Sequence, residues 1–177
     1  MGRVAGGDRR AFAALLERWG QRVLRFLHRR TGDLALARDA AERTWLQVWH
    51  GRDHFDPKHR FALWLFAIAA RTGADAATPR VGDFGWIPSD DAAATRDRDA
   101  LLAALHQLDP TNRRVVLLHI EGFGTEEIAL ALQLTADEVR RRRGVARRWL
   151  LPDDPRPTDP LVLVRAVSRL RTEGAEA

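Results

Sequence analysis

The sequence contains no cysteine, and Lys58 is its only lysine. The first absence excludes a disulfide framework, a cysteine-ligated zinc finger and a thiol nucleophile. The second means that the positive charge is almost wholly arginine, whose planar guanidinium suits bidentate contacts to phosphate and carboxylate. A GC-rich genome accounts for the same bias without any binding role. Apolar runs are too short to cross a bilayer, and no signal-peptide pattern opens the chain. A soluble, cytoplasmic protein with no membrane partner is therefore expected. No segment alternates like a strand. His50, His54 and His59 cluster around Asp53 and Asp56, yet their spacing matches no common ligand set. A glycine-rich phosphate loop and a nucleophile motif are both missing. No enzyme, metal or cofactor is expected.

What is present is helical periodicity. The chain has 177 residues and a net charge of +5, a length for one large domain or two small ones. Phe12, Leu15, Leu16, Trp19, Val23, Phe26 and Leu27 recur at amphipathic-helix spacing between Asp8 and Arg30. Gly32 stops that helix and Asp33 caps the next, which runs through Trp45 and Trp49. The breaker-rich loop GRDHFDPKH precedes a third helix carrying Phe61, Trp64, Leu65 and Ile68. Trp45, Trp49 and Trp64 are expected in the core. Periodicity vanishes over residues 79–96, read as a linker, although Phe84, Trp86 and Ile87 are unusual in a tether. It returns at Arg98–Leu108. Pro110 opens a further helix that Gly122 stops, and Thr125 is expected to cap a short helix, Glu126–Leu132. A last amphipathic helix is expected at Leu161–Leu170. The predicted architecture is all-α: a helical domain at 5–78, a flexible linker at 79–96, a helix-turn-helix domain at 97–151 and an extension at 152–177.

After the tight connection Gln133-Leu134-Thr135 comes ADEVRRRRGVARRWLL, with six arginines. Four consecutive residues on a helix point nearly all round it, so Arg140–Arg143 cannot all enter one groove. Two short helices joined by a tight turn, the second basic, form a helix-turn-helix pattern. Arg140, Arg141, Arg142, Arg147 and Arg148 are the candidate DNA contacts, set against the reading of a solvated helix face. Thr125 and Glu126 lie near phosphate or serve only to cap.

The order of elements resembles the extracytoplasmic-function sigma factors, small two-domain bacterial transcription initiation factors. GDLALARDAAERTWLQVWHGRDHFDP and FALWLFAIAARTGAD resemble region 2. LDPTNRRVVLLHIEGFGTEEIALAL followed by DEVRRRRGVARRWL resembles region 4. The resemblance covers about residues 5 to 151. It implies RNA polymerase core and promoter DNA as partners, and it allows an anti-sigma factor. It places Asp39, Glu42 and Arg43 on the polymerase-binding surface, and His54, Phe55 and Arg71 near single-stranded promoter DNA. Phe55 closing its loop is an equal reading of that residue. The sequence departs from the family where Glu42-Arg43 replaces a glutamine-glutamate pair, where Arg143 replaces a buried apolar residue, and where Gly144 interrupts the arginine-rich recognition helix. A divergent DNA-binding regulator or interaction module that does not initiate transcription is the alternative.

Overall fold

In the computed structural model the described residues are 1–72 and 102–150. The expected linker, with Phe84, Trp86 and Ile87, and the expected helix Leu161–Leu170 lie outside them. Among the described residues every regular element is helical: α1 Gly2–Ala5, α2 Arg9–Thr31, α3 Leu34–His50, a 3-10 turn at Arg52–His54, α4 Phe61–Arg71, α5 at residues 102–107, α6 Pro110–Ile120, α7 Thr125–Leu132 and α8 Ala136–Leu150.

The helix ends follow from local chemistry. Asp8 accepts from the backbone N–H groups of Arg10 and Ala11 at 2.9 and 3.0 Å, so α2 starts there. Gly32 ends it in the left-handed conformation, φ 70°. Asp33 caps α3 through Leu36 N–H at 2.7 Å. Asp109 caps α6, with Pro110 in its first turn. At α7 the expectation was wrong by one residue. Gly124 is the cap position, and the Glu127 carboxylate accepts its N–H at 2.9 Å. Thr125 is the first helical residue, and its hydroxyl is used elsewhere. Gln133 closes α7 at φ 57°, the one non-glycine residue with positive φ among those described.

The N-terminal unit, α1 to α4, packs around Phe26 and Phe66, both fully buried and set edge to face at 5.2 Å. The C-terminal unit, α5 to α8, has Leu105, Leu117, Leu118 and Ile128 fully buried. The two units share a single core cluster. α4 packs on α7 and α2 on α6, and Phe123, in the α6–α7 turn, packs tilted against Phe66 at 5.7 Å. A polar seam accompanies this apolar contact. Arg22 Nε donates to Glu121 Oε2 at 2.7 Å, and Arg29 Nη1 lies 3.4 Å from Glu121 Oε1. Arg113 Nη1 donates to the Arg30 carbonyl at 3.0 Å, and Arg71 Nη1 to the Ala131 carbonyl at 2.9 Å.

His106 is buried beside this seam. Burial first, then the positive charges of Arg113 and His28, push its pKa down to about 4. An unfolded histidine titrates near 6.5, so the folded chain takes up this proton later than the unfolded one. The stability contributed by neutral His106 is fully present above pH ~6.5 and is lost as pH falls toward about 4. Denaturant titrations at about pH 7, 5.5 and 4.5 are expected to show a falling midpoint, and His106→Gln should make that fall shallower. An equal fall in the variant would refute the assignment.

Candidate nucleic-acid interface

α8 is placed by a narrow apolar seam. Val139 and Ala146 are fully buried, and the helix packs on α6 and α7. At about 100° per residue, the opposite face carries Asp137, Arg141, Gly144 and Arg148, with Arg140 at its flank. Arg140, Arg141 and Arg148 are exposed, and Arg147 is half-buried. Arg140 and Arg141 have acidic neighbours on the same helix or on α7. Arg140 lies 2.5 Å from Asp137 and 4.0 Å from Glu126. Arg141 Nη2 lies 2.5 Å from Glu138 Oε2. Hydrogen bonds from Arg141 and then Arg142 hold the Glu138 carboxyl below its usual range. Solvent-exposed pairs of this kind are weak and are screened by salt.

Arg142 and Arg143 are half-buried instead. Arg142 Nη1 donates to Asn112 Oδ1 at 3.1 Å, and its Nε to Glu138 Oε1 at 2.6 Å. Arg142, predicted among the DNA contacts, is therefore turned toward α6. Arg143 Nη1 donates to Thr125 Oγ1 at 3.3 Å, and Nη2 lies 3.1 Å from His119 Nε2. His119 Nδ1 lies 3.5 Å from the Phe123 carbonyl. The tautomer these neighbours favour carries its proton on Nδ1, leaving Nε2 to accept from Arg143. Burial, followed by the Arg143 charge, lowers the His119 pKa and favours this neutral form. The Arg143–His119–Thr125 contact was not foreseen. Its members are separated in sequence, and only the packing of α6, α7 and α8 unites them.

On the N-terminal unit, Asp39, Glu42 and Arg43 are all exposed on α3. Asp39 and Arg43 form an ion pair one helical turn apart, with Arg43 Nε 3.2 Å from Asp39 Oδ1. Glu42 borders a groove of about 650 Å³ between α2 and α3. Phe12, Leu16, Trp45, Leu46 and Trp49 line it, and Arg9 stands at its rim. Leu46 is 57% exposed. Trp45 is buried, as expected, whereas Trp49 and Trp64 are half-buried. Trp49 owes its place in the groove wall to Phe12, whose ring lies 5.0 Å away.

The third set of predicted residues is not gathered into one place. Phe55 packs against Trp64 at 5.3 Å and Phe61 at 6.1 Å, near the start of α4, and closes its loop. His54 is exposed in the 3-10 turn. Arg71 lies at the other end of α4, about 15 Å away by helical rise, on the Ala131 carbonyl. Among the described residues no group of three potential ligands converges on a metal position, and no helix is long and apolar enough to cross a membrane.

Comparison with known proteins matches residues 15–78 to Sigma-70 region 2 and residues 98–150 to Sigma-70, region 4. The RNA polymerase sigma factor CarQ of Myxococcus xanthus is 35% identical over 153 residues, covering 80% of this chain and 88% of its own. The RNA polymerase sigma factor CnrH of Cupriavidus metallidurans is 27% identical over 168 residues, covering 83% and 88%. Among solved structures, CnrH in complex with the cytosolic domain of CnrY superposes with a TM-score of 0.63 at 28% identity, over 88% of this chain and 96% of that one. RpoE of Bartonella quintana, solved with the anti-sigma factor NepR, gives a TM-score of 0.63 at 17% identity over 82% and 99%, a likeness of fold.

Gly144 has no atom within 4 Å of the position a Cβ would take. A glycine inside a helix costs about 1 kcal/mol relative to alanine. Gly144→Ala is therefore expected to raise the melting temperature by about 2–4 °C in a thermal scan. A lower melting temperature would show that the bare backbone is needed for the fold itself.

Proposed function

This chain belongs to the extracytoplasmic-function sigma factors of the sigma-70 family and directs promoter recognition and transcription initiation by RNA polymerase; we propose that it meets core polymerase on the α3 face and duplex promoter DNA on the outward face of α8. Members of this family are initiation factors rather than enzymes, so polymerase supplies the chemistry. The alternative of a regulator that does not initiate transcription is not favoured, because both sigma regions match in order. The site of action is the cytoplasm, with core polymerase. An anti-sigma factor is a third inferred partner, since CnrH is solved with the cytosolic domain of CnrY.

The observation that carries the DNA reading is the exposure of Arg140, Arg141 and Arg148 on the second helix of a helix-turn-helix. Such a helix enters the major groove, and flanking cations neutralise phosphates. Arg147 flanks the strip, and Thr125 and Glu126 lie in the first turn of α7. Single-stranded promoter DNA is assigned to His54, Phe55 and Arg71. A base would stack on the Phe55 ring beside Trp64, and the exposed Arg71 keeps donors beyond the Nη1 that holds the Ala131 carbonyl. Core polymerase is assigned to Asp39, Glu42 and Arg43, beside the apolar groove.

Two measurements test these assignments. Replacing Arg141 and Arg148 together by alanine should weaken binding to duplex promoter DNA and reduce the log–log salt slope by about 2. An unchanged slope would remove both from the contact surface. Arg43→Glu releases Asp39 from its ion pair and leaves an all-acidic Asp39, Glu42 and residue-43 surface. Retention on core polymerase in size-exclusion chromatography should then strengthen, on the order of tenfold in affinity. No change would count against the α3 site.

A further inference from the structure

Two of the six arginines of α8 are placed to hold the helix rather than to touch DNA. Among the described side chains of α8 the buried ones are Val139 and Ala146. Such a seam offers little shape to resist rotation of the helix about its own axis. A rotation of about 30° moves a side-chain tip ~6 Å from the axis through about 3 Å, a full hydrogen-bond length. Something must fix the angle if the outward strip is to meet a groove in register.

Arg142 and Arg143 lie on either side of that seam. Arg142 ties α8 to the start of α6, through Asn112 at 3.1 Å and Asp109 at 3.6 Å. Arg143 ties it to the end of α6 and the start of α7, through His119 at 3.1 Å and Thr125 at 3.3 Å. The planar fork of a guanidinium fixes direction as well as distance. The Arg143 arm is costly. Its described partners are a hydroxyl and an imidazole that burial keeps neutral, so a half-buried cation meets no carboxylate there. An apolar side chain would pack at this position with less desolvation. Fold stability therefore does not account for the arginine, whereas orientation of α8 does.

We infer that Arg142 and Arg143 are positioning residues, a two-armed brace that sets the rotation of α8 so that Arg141, Gly144 and Arg148 face the duplex, with His119 as the acceptor on which the second arm depends. This rests on the DNA reading of α8 given above.

The test uses the full chain and a duplex pool with a randomised central window. Selection by the wild-type chain comes first. If no sequence is enriched, the DNA reading falls, and the brace with it. If a sequence is enriched, its affinity is measured as a function of salt for Arg142→Met, Arg143→Met and Arg143→Lys, with helicity and melting temperature followed in parallel. Each is expected to lose about tenfold in affinity, the worth of roughly one base contact, with the salt slope unchanged. The preferred sequence should broaden at several positions. Arg143→Lys keeps the charge but loses the fork, so full affinity in that variant would overturn the brace. A slope reduced by about 1 in Arg143→Met would do the same, by making Arg143 a phosphate contact. Should the α8 variants fail to fold, the acceptor is changed instead. His119→Gln retains an oxygen for Arg143 and should preserve affinity, while His119→Leu should lose it. Equal behaviour of those two variants would refute the role of His119.

Discussion

The mutual placement of the two helical units depends on one buried carboxylate. The side chain of Glu121 is 6% exposed and lies between Arg22 and Arg29 of α2. A lone carboxylate in that position would be strongly unfavourable, and removing one partner of a buried pair typically costs about 3–5 kcal/mol. Arg22 answers it twice, donating to the carboxylate and, at 2.9 Å, to the Glu121 backbone carbonyl. The next residues complete the dock. Gly122 takes φ 88°, and the chain then places Phe123 on Phe66. Charge and apolar contact thus arrive from one short turn. That turn joins α6 to α7, so it also sets where the helix-turn-helix stands relative to α2 and α4.

Arginine serves three physical ends in this chain, and composition cannot separate them. Arg113 is a buried structural cation. Its guanidinium donates to the carbonyls of Leu105, Arg30, His106 and Leu108, stitching the α5–α6 corner to the end of α2. Arg30 likewise donates to the carbonyls of Ala70 and Thr72, at the end of α4. These donors satisfy helix-end carbonyls that would otherwise be buried without partners. Arg142 and Arg143 link helices at half-buried positions. Among the described side chains of α8, only the arginines Arg140, Arg141 and Arg148 are exposed, where their charge extends into solvent.

The α3 surface shows a related economy. Asp39 and Arg43 pair with each other and largely cancel, while the neighbouring groove is aromatic and apolar. Beside that pair the surface is mainly shape and apolar area, with Leu46 exposed at the groove. The side chains that line the groove are held by ring packing of Phe12 against Trp45 and Trp49.

The sequence by itself determined the longer helices within the described residues, their order and most of their ends. Those features are set by neighbours within a few residues: Asp8, Asp33 and Asp109 as caps, Gly32 and Gly122 as stops, and apolar residues at helical spacing. Even the error at Thr125 was one residue, because glycine and threonine compete for the same cap and Glu127 decided it by reaching back to Gly124. Six arginines on one helix were equally plain. Which of them point outward was not, since that depends on where α6 and α7 lie. Tertiary structure alone decided that Arg142 belongs to Asn112, that Arg143 belongs to His119, that Arg71 ends on Ala131 and that Glu121 is buried between two arginines. A guanidinium reaches several ångströms along any of many rotamers, so its partner is chosen by the elements that fold around it and not by its place in the chain.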